Sequence, residues 1–471
     1  MRTVTKRSPR HQQQEKPPVI PPAAPPDIPE AVRALNTQYA VLKDPTCILR
    51  LKPSGAIAFH TRQDVELQLS GAPYVLMNGK AMPLFTAWLR WPHHRKFESV
   101  VFRPAQLEVP GYYNLFKGWP LKPEPKADWS FLRDHLFNHI AAGNKDHFMY
   151  IMRWFADLVQ NPEGARWVAL VLRSAEGAGK SILSDVVMRQ VLGSSLVLSV
   201  GPDAVLSQFN SDFAHKLLIS AEEAFFAADP RNTGRLKNMI SNPTMRLEFK
   251  GIDPTHVPNF ARLLMLTNED YAVPVSAGDR RYAVFDVHDS GQTRLKNQGG
   301  WKDDFKTQIG SLLKPGTGVL ERFFHELLTF DCASIDLDDI PDTQARREQK
   351  DAAMDTLDVF FRDLLEEGAL PEDQDGKGKT PCQDLLDAYE KSCGRHERVK
   401  RSDALHTRGR KIFGDILFTK TTPTTVPGLS SKQRCFQFGP LPDCRAAWER
   451  YRRESCWTAD ERGQQWAKTA N

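Results

Sequence analysis

Apolar residues recur along this chain with two different periods. From Asp128, a suitable helix N-cap, Trp129, Leu132, Leu136 and Ile140 return every three or four positions until Gly143. That spacing gathers them on one face of a helix. A second face follows, with Phe148, Ile151, Met152, Phe155, Leu158 and Val159, and Asn161-Pro162-Glu163-Gly164 breaks it. The pattern then changes. Val168 to Leu172 is a continuous apolar run of strand length, and Leu217 to Ser220, Ala261 to Thr267 and Ala283 to Phe285 repeat it with helical patterns between. Apolar runs of this kind, separated by helices, predict a parallel sheet covered on both faces. The expected fold class is therefore α/β, with a ligand at the carboxyl ends of the strands.

Outside that core, assigned to residues 165–330, the pattern divides the chain further. Residues 1–34 are basic and Pro-rich and are expected to be disordered. Residues 35–125 carry short β-like runs, Cys47 to Leu51 and Ala56 to His60, among many aromatics, and read as an α+β region. The two helices form a collar over 126–164. Asp331 to Asp342 holds five Asp and no basic residue, which places an exposed acidic linker over 331–349. Two further amphipathic helices carry Leu357, Phe360, Phe361, Leu364 and Leu365, then Cys382, Leu385, Leu386 and Tyr389. In a third, Ser402 to Phe413, Leu405 and Ile412 face inward and Arg408, Arg410 and Lys411 outward. Two strands follow between Ile416 and Phe438. Three helices, a β-wing and a basic third helix predict a winged-helix-like domain over 350–445, with Arg408 and Arg410 toward DNA. Residues 446–471 read as a polar tail.

Composition narrows the class without changing it. The chain has 471 residues, 41% hydrophobic and 26% charged, as in soluble globular proteins. Seven cysteines occur with no Cys-x-x-Cys pair, against a zinc ribbon or a disulfide framework and in keeping with a reducing compartment. No apolar run reaches the roughly 18 residues of a membrane span, and the N-terminus lacks the apolar stretch of a secretory signal. A cytoplasmic location without membrane partners is expected. The net charge of +5 is modest, but eight Lys or Arg against two acids lie between Lys391 and Lys411.

The candidate chemistry sits at the strand ends. After Val168 to Leu172 comes Arg173-Ser-Ala-Glu176-Gly177-Ala178-Gly179-Lys180-Ser181, followed by a helical pattern. Small residues let backbone N–H groups close around phosphate oxygens, and the helix N-terminus adds partial positive charge. This pattern reads as a P-loop for a nucleoside triphosphate or phosphate with Mg²⁺, cradled by Glu176 to Ser181, with Lys180 on the β- and γ-phosphates and Ser181 on the metal. The usual first Gly is Ser174 here. Glu222 and Glu223 end the strand Leu217 to Ser220: Glu222 is the second metal residue and Glu223 the base for water. Asn268 ends the next strand as a water-orienting sensor. Arg280 and Arg281 precede Ala283 to Phe285, and one of them suits an arginine finger. His135 and His139 share a helical face, but Leu136 stands where a zinc protease would need Glu, so no metal role is assigned.

A P-loop, paired carboxylates, a strand-end Asn and then Arg, in this order, resemble the superfamily 3 helicases, the AAA+ motors of viral and plasmid replication. The likeness is to the phage and plasmid type related to poxvirus primase–helicases. Val100-Val-Phe-Arg-Pro104, Tyr113 to Trp119, Asp128-Trp129 and Gln208-Phe-Asn210 extend it. The resemblance implies a homo-hexameric ring with ATP between subunits, one giving Lys180, Ser181, Glu222, Glu223 and Asn268, the next Arg280 or Arg281. It implies a basic hairpin that tracks DNA, a place filled here by Arg246 to Pro258, with Lys250 and His256 on phosphates and Phe249 as a stacking group. Relatives often carry a primase–polymerase domain; no room or acidic motif for one is seen, so a separate primase or polymerase is expected. The function implied is an ATP-dependent DNA helicase or translocase in replication of a phage or mobile element, on single-stranded or forked DNA in a bacterial host's cytoplasm. The alternative is a AAA+ initiator or loader that remodels DNA or protein without processive unwinding. A regulator that only senses ATP would not need Glu223 and Asn268, and a metabolic kinase would not need the late Arg pair.

Overall fold

The computed structural model describes residues 29–468 apart from 54–55, 78, 165–167, 176–178, 206–210, 224–229, 250–251, 277, 289–308, 312, 315, 374, 394–401 and 426–431. Its chain divides into two units between Lys117 and Gly118, ahead of the boundary at 125 read from sequence. In the first unit, Ile57–His60, Cys47–Leu51 and Tyr39–Leu42 pair antiparallel, and Lys96–Phe97 joins Tyr39–Leu42 in parallel. Trp88 is fully buried there against Phe85 and Tyr39, and its indole N–H donates to Asn36 Oδ1 at 2.7 Å.

The second unit is built on five strands: β1 (Ala169–Arg173), β2 (Val197–Val200), β3 (Leu218–Ala221), β4 (Arg262–Thr267) and β5 (Tyr282–Asp286). All neighbours are parallel, in the order β2-β3-β4-β1-β5. Every carboxyl end therefore lies on one edge, and β1, β4 and β3 stand side by side there. The three central strands and the edge strand β5 are buried on both faces, as continuous apolar runs require. The sequence pattern located four of these strands; Val197–Val200 was not among them. Helix α1 (Lys145–Gln160) starts on Asn144, whose side chain accepts from the N–H groups of Asp146 and His147. It packs against the sheet through Trp154, whose indole donates to the Val168 carbonyl at 3.0 Å. A buried ion pair fixes it: Asp157 accepts from Arg262 at 2.8 Å and lies 3.1 Å from Arg153. Helix α2 (Pro230–Ser241) adds Leu236 and Ile240 to the core on one face. Thr244–Phe249 and Ile252–Pro258 form the expected antiparallel hairpin.

Two expectations need correction. The acidic linker over 331–349 is not a plain linker: Gln344–Ala352 is a helix, α3, with Ala345, Arg346, Gln349 and Lys350 buried. Its core-facing residues are mostly polar because they serve backbone groups rather than apolar ones. Arg346 donates to the carbonyls of Asp279 and Tyr282, and Gln349 accepts from the N–H groups of Ala272 and Val273. Residues beyond 446 are likewise no mere tail. Trp448, Trp457 and Trp466 are buried in the C-terminal core. That core gathers α4 (Thr356–Glu367), α5 (Cys382–Ser392), α6 (Ser402–Leu417) and α7 (Leu441–Arg452) over a three-stranded antiparallel sheet. The sheet runs Lys379–Pro381, Cys435–Phe438, Phe418–Lys420. Gly414, at φ 78°, ends the regular part of α6.

Candidate functional site

The carboxyl ends of β1, β4 and β3 gather most of the candidate residues. β1 ends at Arg173, and Ser174 N–H donates to the Thr267 carbonyl at 3.2 Å, so the loop leaves the sheet beside β4. Glu176, Gly177 and Ala178 lie outside the described residues. Gly179 closes the loop in the left-handed region at φ 82°. A Cβ there would sit 3.3 Å from His135 Cε1, so the position is restricted by conformation and by space. His135, on the helix Ser130–His135, is buried, and burial together with the charge of His139 pulls its pKa down to about 4. It is a neutral wall behind the loop at physiological pH.

From Lys180 the chain is helical: Lys180–Ile182, a wider π-wound turn over Leu183–Met188, then Arg189–Leu192. Lys180 is only 8% exposed. Its ammonium donates to Asn268 Oδ1 and Ser174 Oγ, both at 2.7 Å, and to the carbonyls of Ser174 and Thr267 at 2.9 and 3.0 Å. Four acceptors within 3.0 Å compete for three N–H groups. Two residues 88 positions apart, singled out separately in the sequence, are thus in direct contact. Ser174, the departure from the usual glycine, is part of the cage that holds the lysine.

Glu222 and Glu223 follow the last residue of β3, and Glu222 N–H donates to the Val200 carbonyl. Glu223 is exposed and adopts φ 51°. A non-glycine residue in that region carries about 1 kcal/mol or more of strain, a cost that recurs at functional positions. The Glu222 carboxyl is pushed above its ordinary pKa by burial first, then by the charge of Asp185, a hydrogen bond shared with it, and Glu223. Asp185 is the residue the sequence reading missed. It follows Ser181 by four positions, which puts both on one face of the helix. It accepts from Ser199 Oγ at 2.6 Å and lies 3.7 Å from Arg189. Carboxylates crowded beside one arginine form a donor set that a divalent cation would neutralise, and Ser181, exposed at the helix start, is one turn away. Among the described residues no group of three or more His, Cys, Asp or Glu is arranged as a complete metal cage. A cation held by Glu222, Asp185 and Ser181 would need other ligands.

The Arg pair resolves into two different residues. Arg281 is held: its side chain donates to Ser241 Oγ at 2.9 Å and pairs with Asp279 at 3.4 Å. Arg280 is exposed, with no ion pair among the described residues. Both precede β5, whose Tyr282 pairs with Ala169, so they lie at the amino ends of the strands. The length of β1, roughly 13 Å at 3.3 Å per residue, separates them from their own loop.

The remaining candidates are dispersed. His256 is exposed opposite Arg246 in the hairpin; Lys250 lies outside the described residues, as does the side chain of Phe249. Arg410 is exposed and pairs with Asp415. Arg408 does not face outward as expected: it pairs with Asp355 and Asp358 on α4 and contacts Tyr451 Oη at 3.0 Å. Two carboxylates at the start of α4 draw it inward.

Comparison with known proteins finds similarity to a phage protein. A family model described as a family of unknown function, DUF5906, matches residues 172–281, the stretch from β1 to the Arg pair. A DNA primase-polymerase of Nitratiruptor phage NrS-1 is 25% identical over 217 residues, 44% of this chain and 29% of that protein. The chain thus spans under a third of the length of that relative. Two apo structures of the NrS-1 C-terminal region superpose with TM-scores of 0.62 and 0.63 at 16% identity, covering 87% of this chain and 99% of theirs. At that identity the likeness shows a shared fold: a mixed α/β unit with a parallel sheet and packed helices. Among the described residues no helix is long and apolar enough to cross a membrane.

Proposed function

We propose that this protein is an ATP-dependent DNA helicase or translocase of the superfamily 3 type, acting in phage or mobile-element replication. The observation that carries the reading is the direct contact of Lys180 with Asn268 and Ser174, with Glu222 and Glu223 ending the strand next to β4. Similarity to a phage primase-polymerase supports the replication setting.

In this reading the nucleotide supplies the phosphoanhydride whose cleavage drives movement. Lys180 exchanges its carbonyl and hydroxyl acceptors for phosphate oxygens, which frees Asn268 to orient water. Glu223 accepts the proton of that water. Glu222, Asp185 and Ser181 hold the magnesium. Arg280 acts on the site of the next copy, because its own loop lies at the other end of the strands. As the helicase resemblance implies, the copies form a ring in this reading, with DNA in contact with the hairpin. The class of the core is then a AAA+ ATPase, and the C-terminal helices and sheet a winged-helix-like domain.

The test is ATP hydrolysis with and without single-stranded DNA, beside displacement of a labelled strand from a fork. DNA-stimulated hydrolysis with displacement, both lost in Lys180→Ala and Glu223→Gln, is the expected result. Hydrolysis without displacement would establish the initiator or loader instead. A wild type without hydrolysis under any condition would overturn the ATPase reading.

A further inference from the structure

A cavity of about 580 Å³ opens between the β4–β5 connection and the C-terminal helices, lined by Ser276 and Gly278 on one side and by α4, α6 and α7 on the other. Six cationic side chains line it against two carboxylates, Asp355 and Asp358. The six fall into two groups.

Lys350, Arg408 and Arg452 are committed to partners. Lys350 pairs with Glu454 at 2.9 Å, Arg452 with Glu454 and Asp351 at 2.7 Å each, and Arg408 with Asp355 and Asp358. Lys350 and Arg452 are almost fully buried. These pairs fix the walls and satisfy both lining carboxylates.

Lys411, Arg450 and Arg453 are different. All three are exposed, and none forms an ion pair among the described residues. Lys411 comes from α6, Arg450 from the last turn of α7, and Arg453 is the residue that caps α7. Arg453 takes a left-handed conformation, φ 55° and ψ 47°. Its guanidinium lies against Gly278, where an added Cβ would be 3.4 Å from Nε. Three unneutralised cations facing one polar cavity with ion-paired walls repel one another, and an anion relieves that repulsion.

We propose that this cavity is a second phosphate site, distinct from the P-loop, that takes the oxyanions of a polyphosphate or of a nucleic-acid backbone. Guanidinium groups match phosphate oxygens in bidentate fashion, and two of the three free cations are arginines. The cavity is large enough for more than one phosphate group. A ligand there touches Gly278, two residues before Arg280, and the C-terminal helices at once, so it ties that domain to the turn carrying the exposed arginine.

The experiment measures two probes on the full chain: inorganic tripolyphosphate and a labelled single-stranded oligonucleotide. The test variant combines Lys411→Ser, Arg450→Ser and Arg453→Asn, since Asn tolerates a positive φ. The charge control combines Lys122→Ser, Lys126→Ser and Lys145→Ser, three exposed lysines elsewhere in the same unit. With every protein carrying Lys180→Ala, so that the P-loop does not contribute, at least a tenfold loss for one probe in the test variant, with the charge control little changed, is expected. Loss confined to tripolyphosphate identifies a nucleotide-like ligand. Loss for the oligonucleotide, with a shallower salt dependence, identifies a strand. Unchanged binding of both probes in the test variant, or an equal loss in the charge control, would overturn the site. Should Arg453→Asn disturb packing on Gly278, Lys411→Ser with Arg450→Ser leaves Arg453 in place and must still lose at least threefold. Lys180→Ala separates this site from the nucleotide reading, which can fail while the cavity still binds.

Discussion

The charge of Lys180 is spread over Asn268, Ser174 and two carbonyls. Binding of a phosphate must compete with that cage. Ser174→Gly removes one acceptor at 2.7 Å and restores the usual loop residue. One hydrogen bond is worth about 1 kcal/mol net, so a labelled nucleotide should bind roughly three- to tenfold tighter in a direct titration. Weaker binding would mean that the Ser174 hydroxyl contacts the ligand itself. Glu222 gives a second prediction at this scale. Its carboxyl has a raised pKa in the fold, so the folded state holds its proton more tightly than the unfolded chain does. That stabilisation is full below the ordinary glutamate range and is lost as pH rises through the folded value. Glu222→Gln should therefore unfold at a higher temperature than wild type at pH 8, with the gap closing toward pH 4. Added Mg²⁺ should raise the wild type and narrow the gap at pH 8. Thermal scans at the two pH values with and without magnesium read both effects.

Elements differ in how far their sequence announces them. β1, β3, β4 and β5 are mostly apolar runs because they are buried on both faces; the loop to Lys180, the carboxylate pair and Asn268 follow their carboxyl ends, and the Arg pair precedes β5. The proximity of Lys180 to Asn268 was legible because ligand sites in such sheets collect at the carboxyl ends of the strands. α3 was not legible. Its buried positions include Arg346, Gln349 and Lys350, which hydrophobic patterning counts as surface. Arg346 and Gln349 are buried because the β4–β5 connection exposes backbone groups that only polar side chains can serve, and Lys350 because it pairs with Glu454. Asp185 was missed for a related reason: its significance comes from Glu222 and Ser199, both remote in sequence. Gln349 tests the argument. It is fully buried and bonds to Asp270, Ala272 and Val273. Gln349→Leu keeps the volume and orphans three backbone groups, which should cost about 3 kcal/mol or more in denaturant unfolding. A cost below about 1 kcal/mol would mean that the connection rearranges or takes up water.

At the scale of the molecule, the placement of Arg280 bears on the proposed assembly. It stands at the amino ends of the strands, whereas Lys180 and Asn268 stand at the carboxyl ends. No single chain in this conformation can bring them together, so hydrolysis that depends on Arg280 requires a second copy. Arg280→Ala should bind nucleotide as wild type does and hydrolyse it at least a hundredfold more slowly, a loss in line with removal of an arginine finger. Arg281→Ala should instead lower the unfolding temperature, since that side chain holds Asp279 and Ser241 together. The decisive measurement mixes two inactive proteins. Lys180→Ala keeps Arg280, and Arg280→Ala keeps Lys180, so the proposed assembly, when mixed, would contain some interfaces with both groups intact. Hydrolysis should return on mixing and reach its maximum near equal amounts. If both variants are inactive alone and remain inactive together despite co-assembly, Arg280 is not a residue that acts across an interface.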